Sequence, residues 1–431
     1  MNKKIAVGGL ELKARHGRVC LRDVDLCATA ETYGTPFFLY DWNSIAHAIS
    51  KVKKNLSGDI KLYYAIKANP NIELLKRMVP LVDGVDIASA GEFRRVLESG
   101  FSPSQASFAG PGKTDEELTL AILQHIGSIS VESLGELERI EKIAAAVKKR
   151  ANVSIRINPL KPQKKFPVKM GGKPSPFGID EEKWGDFFSR LKDLPHCDFV
   201  GVHVFSGTQC LDGKTLLDNI ACILQIAKEI HRVTSLELKT VNFGGGFGVP
   251  YYEGQRPIDV DQVCAGMSGQ FTQFKQETGL AHCTGVLELG RYLVAQAGAY
   301  VARIVDVKES RGKKFCVLDG GINHHLAAAG QLGKFIRENL QIINLSRADS
   351  GVTEQVSLVG PLCASLDIIG ENVRIEKPEA GHYIAVLTSG AYAYTASPVL
   401  FLSHETPLEL LIDGSQVSII RQRHTTDADG V

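Results

Sequence analysis

The chain has no run of apolar residues long enough to cross a bilayer, since no window reaches the roughly 18 that a membrane helix requires. Its first stretch, MNKKIAVGGLELKARHGR, contains nothing resembling a signal peptide. Charge of one sign is not in surplus either. The 49 basic and 48 acidic residues leave a net charge of +1, so no global field points to nucleic acid or a membrane surface. The nine cysteines are scattered singly, without a CxxC pair, which argues against a zinc knuckle and against a disulfide framework. Internal repeats and low-complexity tracts are missing too. Together these absences lead us to expect a soluble, cytoplasmic protein with no nucleic-acid or membrane partner and no metal. The lysine-rich runs KVKK (51–54) and KKR (148–150) read as solvated helix faces.

What is present is length and a mixed pattern. The 431 residues, 44% of them hydrophobic, suffice for a large core and more than one domain. From about residue 60 to 290, short β-rich runs alternate with amphipathic segments. The runs are KLYYAIK, VDGVDIAS, ASFAG, ISVES, VSIRIN, FVGVHVF, KTVNFGG and GVLELG. Among the intervening segments, LGELERIEKIAAAVKKR repeats Leu134, Leu137, Ile140, Ile143 and Ala144 at helical spacing. Eight strands alternating with helices predict an α/β fold, a (β/α)8 TIM-type barrel, with its chemistry at the C-terminal strand ends. After residue 295 the pattern turns β-rich, and ELKARHGRVC near the N-terminus reads as further strands of the same unit. We therefore expect a barrel over 36–292 and a β-rich domain built from 1–35 and 293–431. Residues 161–176, KPQKKFPVKMGGKPSP, hold five lysines and no acid directly after VSIRIN. That segment reads either as a flexible solvated loop or as a substrate-contacting lid over the barrel mouth.

Lys67 ends the first predicted barrel strand. A partly desolvated lysine there is suited to act as an amine nucleophile toward an aldehyde, while a salt-bridged lysine at a barrel mouth is the plainer reading. Three glycines, Gly244, Gly245 and Gly246, follow the seventh strand and would let backbone N–H groups approach an anion. The eighth strand delivers Glu288, Gly290 and Arg291. Arginine offers a fork of donors to a phosphate. A carboxylate pairs with a protonated pyridine nitrogen.

An amine, a phosphate cradle, a carboxylate and an arginine on strand ends describe a pyridoxal phosphate site. The ordered motifs YYAIKAN, VDIAS, RINP, NFGGGFG, ELGRYLV, GPLCASLD and SGAYAY resemble the fold-type III pyridoxal phosphate (PLP) dependent decarboxylases. That family includes diaminopimelate and ornithine decarboxylases, and its barrel is joined to a β-domain like that of alanine racemase. The resemblance covers about residues 30–415. It implies that Lys67 joins the cofactor as a Schiff base and that Glu288 pairs with the ring nitrogen. Gly244, Gly245, Gly246, Gly290, Arg291 and Tyr392 would hold the phosphate side. Asp86, Arg156 and His203 would line the cofactor pocket. Cys363 would reach in from the partner subunit as proton donor, making a homodimer necessary, with Asp367 and Tyr392 also at the substrate.

Departures from the family pattern bear on specificity. Phe205 stands where a histidine stacks on the pyridine ring, and Thr208 where a phosphate-binding serine is expected. Ala364 replaces the acid that reads a distal amine. In DGGINHHLAAA, Ala327 occupies the place of the arginine that reads a distal carboxylate. Without both charges a free diamino acid has no counter-charge at its far end. Segments such as VKMGGKPSPFGID and GRYLVAQAG resemble a divergent branch. That branch comprises decarboxylases associated with exosortase or exopolysaccharide genes and one acting on glutamyl groups tethered to an acyl carrier protein. The sequence thus predicts a decarboxylase of a conjugated or carrier-linked amino acid. A diaminopimelate decarboxylase with altered contacts and a non-catalytic homologue are the alternatives. His324-His325 is not read as a metal site, since adjacent residues point to opposite sides.

Overall fold

The computed structural model describes residues 3–5, 9–160, 166, 168–169, 174–329, 338–348 and 351–425, with side chains from residue 9 onward except at 168–169. It divides into two compact units. One comprises residues 49–249 and 257–292, the other residues 1–48, 250–256 and 293–431.

The first unit is a closed parallel barrel. Its strands are β1 (Ile60–Ala65), β2 (Gly84–Ile87), β3 (Ala106–Phe108), β4 (Ser128–Val131), β5 (Ala151–Asn158), β6 (Cys197–Val204), β7 (Thr240–Asn242) and β8 (Thr284–Leu289). Each of the eight predicted runs supplies one. Parallel pairing proceeds β1 through β5, with β4 joining β5, then β6, β7 and β8, and β8 closes on β1. The helices between them start and stop where local chemistry dictates. Ser89 caps Ala90–Ser99 by accepting from the Glu92 amide, and Gly100 ends that helix at φ +99. Ser133 likewise caps Leu134–Ala146. Of the predicted apolar stripe there, Leu137, Ile140 and Ala144 are buried, whereas Leu134, at the first helical position, is exposed. Among the described residues no helix is long and apolar enough to cross a membrane.

The second unit is built around the long strand Gly298–Ser310. It pairs antiparallel with Lys313–Leu318 at one end, and with Tyr383–Leu387 and Phe37–Asp41 at the other. Phe37–Asp41 in turn pairs with Leu408–Asp413. This places residues 37–41 in the β-rich unit, so the barrel begins later than the expected residue 36. Every residue of that strand is buried, and a fully buried strand reads alike in a parallel barrel and in the middle of another sheet. ELKARHGRVC forms the expected strands, paired as a hairpin with His16 and Gly17 at positive φ in the turn. It belongs to a separate four-stranded sheet within this unit, not to the large one. Leu12, Val19 and Leu21 from it join Phe37, Val301 and Leu410 in one core.

Candidate active site

The residues singled out on the barrel lie where its strands end. Lys67 sits in a single 3-10 turn, Ile66–Ala68, directly after β1. Its Nζ donates to Asp86 Oδ2 on β2 at 2.9 Å. The lysine side chain is 42% exposed and the aspartate 1%. Lys67 is thus not the desolvated amine of the sequence reading. It is a mouth lysine held by a buried carboxylate, because β1 ends just where the chain reaches solvent.

Glu288, near the end of β8, is buried. Its Oε1 accepts from Asn242 Nδ2 at 2.5 Å and from Ser107 Oγ at 3.1 Å. Burial, and next the nearby Asp86 carboxylate, push its pKa up to about 7. The imidazole of His203, on β6, accepts or donates at Nδ1 to Ser130 Oγ at 2.9 Å. Its Nε2 lies 3.6 Å from Glu288 Oε2, beyond hydrogen-bond length, and has no hydrogen-bond partner although buried. Burial first, then the positive charges of Arg156, Lys67 and Lys113, hold His203 well below the ordinary imidazole range, so it is neutral.

Arg156 on β5 is buried. It donates to Glu132 Oε1 at 2.8 Å and its guanidinium lies 5.1 Å from the Phe177 ring centre. Glu132 also accepts from the amides of Gly110 and Gly178 at 2.7 and 3.0 Å. A second buried pair, Lys113–Glu136 at 2.8 Å, stands beside it. Sequence reasoning missed this layer, and also Asn242 and Ser107. The Asn in NFGGG was the available signal, since an amide at a strand end next to a carboxylate strand can orient that carboxylate.

After β7 the glycine run turns tightly. Gly244 is at φ +60, and a Cβ there would lie 2.7 Å from Phe205 Cδ2. Gly246 is at φ +101, and its Cβ would lie 2.6 Å from the Gly207 carbonyl and 2.9 Å from Phe166 Cε1. Phe205 therefore packs on the glycine loop. The Gly244 amide donates to Asn242 Oδ1 at 2.8 Å, so as a phosphate donor it is already engaged, and Gly245 and Gly246 are left to offer theirs. Thr208 lies in a two-residue strand that pairs with Val168–Lys169. This brings part of the lysine-rich segment to the mouth, while Lys161, Lys164, Lys165 and Lys173 lie outside the described residues. Gly290 packs on Ala65 and Ala68, and Arg291 opens the short helix Arg291–Val294, half-buried.

The remaining candidates belong to the β-rich unit. Cys363 is exposed. Tyr392 is half-buried at φ +53. Asp367 differs from expectation. Its Oδ1 accepts from the Ile322 amide and its Oδ2 from the Leu362 amide, both at 2.8 Å, and the side chain is buried. Both oxygens thus organise the loop that carries Cys363, and neither is turned to a substrate. His324 and His325 go to separate partners, Tyr300 and Ser389.

The barrel residues fit pyridoxal phosphate. The amine, the buried carboxylate, the orphaned imidazole nitrogen and the bare glycine backbone each match one part of it. The comparisons agree. Residues 42–295 match the family model "Pyridoxal-dependent decarboxylase, pyridoxal binding domain". The L-glutamyl-[BtrI acyl-carrier protein] decarboxylase of Niallia circulans is 35% identical over 94% of this chain and 95% of its own. The 2-[(L-alanin-3-ylcarbamoyl)methyl]-2-hydroxybutanedioate decarboxylase of Staphylococcus aureus is 29% identical over 88% of this chain and 94% of its own. Diaminopimelate decarboxylase of M. jannaschii, solved in complex with L-lysine, superimposes with a TM-score of 0.89 at 27% identity, covering 97% of both chains. The chain belongs to the fold-type III pyridoxal-dependent decarboxylases and is a PLP-dependent amino-acid decarboxylase.

Proposed function

We propose that the enzyme removes the α-carboxylate of an amino acid whose distal end is acylated, conjugated or tethered to a carrier protein. The observation that carries this reading is the pair of alanines, Ala364 and Ala327, at the two positions where the family places charges for a free diamino acid. The Niallia circulans relative is named for a carrier-linked glutamyl substrate, and the Staphylococcus aureus relative for a conjugated one. The lysine-rich segment would add attraction for an acidic carrier.

Bound PLP supplies an electron sink for the electrons released when the carboxylate leaves. The chain's own residues do the rest. Lys67 presents its amine at the mouth, with Asp86 fixing its position. Glu288, oriented by Asn242 and Ser107, holds a proton at the ring-nitrogen position. Arg156 stays paired with Glu132, so the pocket carries no uncompensated buried charge on that side. Gly245, Gly246, Thr208, Arg291 and Tyr392 would take the phosphate, and Phe205 the ring face. Cys363 of the partner subunit would return a proton to the substrate carbon, a thiol being a competent general acid. The working form would be a homodimer with shared sites.

The test is a substrate comparison with purified enzyme. Free diaminopimelate, ornithine and lysine should be turned over poorly, and an acylated or carrier-tethered amino acid well. Efficient turnover of free meso-diaminopimelate sinks the reading and favours a diaminopimelate decarboxylase with rewired contacts.

A further inference from the structure

The inside of a TIM barrel is ordinarily filled by layers of bulky branched side chains. Here the half nearer the strand N-termini is not. Ser107, Ser128, Asn152, Ser154 and Thr240 line a cavity of about 310 Å³, with Asn242 at its upper end. The cavity also borders Ser104 and Lys239, both exposed residues at the N-terminal side of β3 and β7. Tyr63, Val200 and Val286 complete a mixed lining, and the space is roomy enough for several waters held at its hydroxyl and amide groups.

Two features link this cavity to Glu288. Ser107 and Asn242, which line it, are the two residues that hydrogen-bond Glu288 Oε1. On the other wall Ser128 donates to Ser154 at 3.0 Å, Ser154 and Ser130 share a bond of 3.3 Å, and Ser130 bonds His203 Nδ1 at 2.9 Å. The orphaned Nε2 of that histidine faces the second carboxylate oxygen. Asp86, Lys67, Tyr63 and His203 are the titratable groups around Glu288. Of these, Tyr63 lines the cavity that reaches the N-terminal face.

We propose that this cavity is a hydrated proton entry from the N-terminal face of the barrel to Glu288, completed by Ser107 at one oxygen and flanked by the Ser154–Ser130–His203 chain at the other. It rests on the reading of Glu288 as the ring-nitrogen partner. In the step, a cavity water gives a proton to Ser107 Oγ as Ser107 passes its own hydroxyl proton to Glu288 Oε1. The hydroxide left behind takes a proton from the next water, so the net change is one proton drawn from bulk solvent. Glu288 can then follow the pH of the solution while substrate covers the opposite, C-terminal mouth. Ser107 acts here as a positioning and relay residue.

The experiment has two parts, both on the full-length holoenzyme. A crystal structure should show ordered water in contact with Ser107, Asn152 and Ser154, and a dry cavity overturns the proposal whatever the variants do. In a stopped-flow pH jump, with the mouth blocked by a non-reacting substrate analogue, relaxation of the visible cofactor band is followed. Ser154→Val, which fills the cavity, and Ser107→Ala should each slow it at least tenfold. Ser154→Ala, which keeps the space, should not. Asn152→Leu serves as a second plug should Ser154→Val fail to fold. Glu288→Gln is the control for the underlying reading. A band indifferent to Glu288→Gln overturns that reading, whereas a band that responds to it but not to either plug overturns the channel alone.

Discussion

The two units bury different mixtures of charged and neutral polar groups. The barrel buries charges and pairs them: Arg156 with Glu132, Lys113 with Glu136, and the Asp86 carboxylate under Lys67. The β-rich unit also pairs buried carboxylates, Asp41 with Arg22 and Glu409 with Arg421, but adds a set of buried groups that stay neutral. His324 is depressed to about 4 and His325 to about 3, in both cases by burial. Burial likewise pushes Tyr300 well above its ordinary value. The buried Asp367 is engaged by backbone amides. The contrast follows from the task. A pocket for a charged cofactor needs fixed charges already in place, and the cost of burying them is offset only when each has a partner. In the β-rich unit the loop that carries Cys363 is held locally, by backbone amides donating to the Asp367 carboxylate.

Removing the chemistry from either unit should therefore look different. Lys67→Ala should abolish the visible absorbance and reduce turnover below detection while the fold persists, as read by absorbance, borohydride trapping and circular dichroism. A borohydride-reducible link retained in the variant would show that another amine holds the cofactor. Cys363→Ala should keep the absorbance and lower kcat by about a hundredfold or more, the range for a lost general acid. Mixing the two variants should restore about a quarter of wild-type activity, because half the exchanged dimers carry one intact site each. No recovery after verified subunit exchange would place both residues in one chain's site.

The pH dependence of stability sharpens the comparison further. His324 and His325 have depressed folded values, so the unfolded chain binds more protons in acid. Stability contributed by them is complete above about pH 6.5, the ordinary histidine value, and is lost as pH falls through the folded values. His203 adds to the same trend from the barrel. Glu288 runs the other way in the cofactor-free protein. Its folded value is raised, so the folded state holds the extra proton, and its contribution is lost as pH rises toward about 7. Thermal melts of the cofactor-free protein should show His325→Gln flattening the acid limb and Glu288→Gln flattening the descent toward neutrality. Each change should be on the order of a few kcal/mol at most. An acid limb unchanged in His325→Gln would mean that the imidazole is solvated in solution.

The smallest effect is expected at the mouth. Replacing Lys161, Lys164, Lys165, Lys169 and Lys173 with glutamine should raise KM for an acidic carrier-linked substrate several-fold and leave kcat near wild type. The salt dependence of kcat/KM should flatten too, since exposed charges are screened beyond about 8 Å at physiological ionic strength. A KM that does not move would favour the solvated-loop reading.

Much of the barrel was legible because each strand carries its own signal, a short β-rich run closed by a turn, and most of its helices a cap. That Lys67, Glu288, Arg291 and the glycine run stand at barrel strand ends was legible because each ends or follows a β-rich run. Three kinds of information lay beyond the sequence. Residues 37–41 read as barrel by their position, and only strand pairing assigned them to the other sheet. Asp367 read as a substrate contact by its place in GPLCASLD, and only the amides of Ile322 and Leu362 showed it to be a loop tether. In the layer around the buried charges, Ser107, Glu132 and Ser130 were given no role by any motif, and Asn242 had only its place at the head of NFGGG. The reason is physical: helix caps, turns and strand alternation depend on neighbours within a few residues. Glu288 and His203, by contrast, owe their protonation states first to burial inside the closed barrel and then to charges such as Asp86, Arg156 and Lys67, far apart in the chain, which only closure of the barrel brings together.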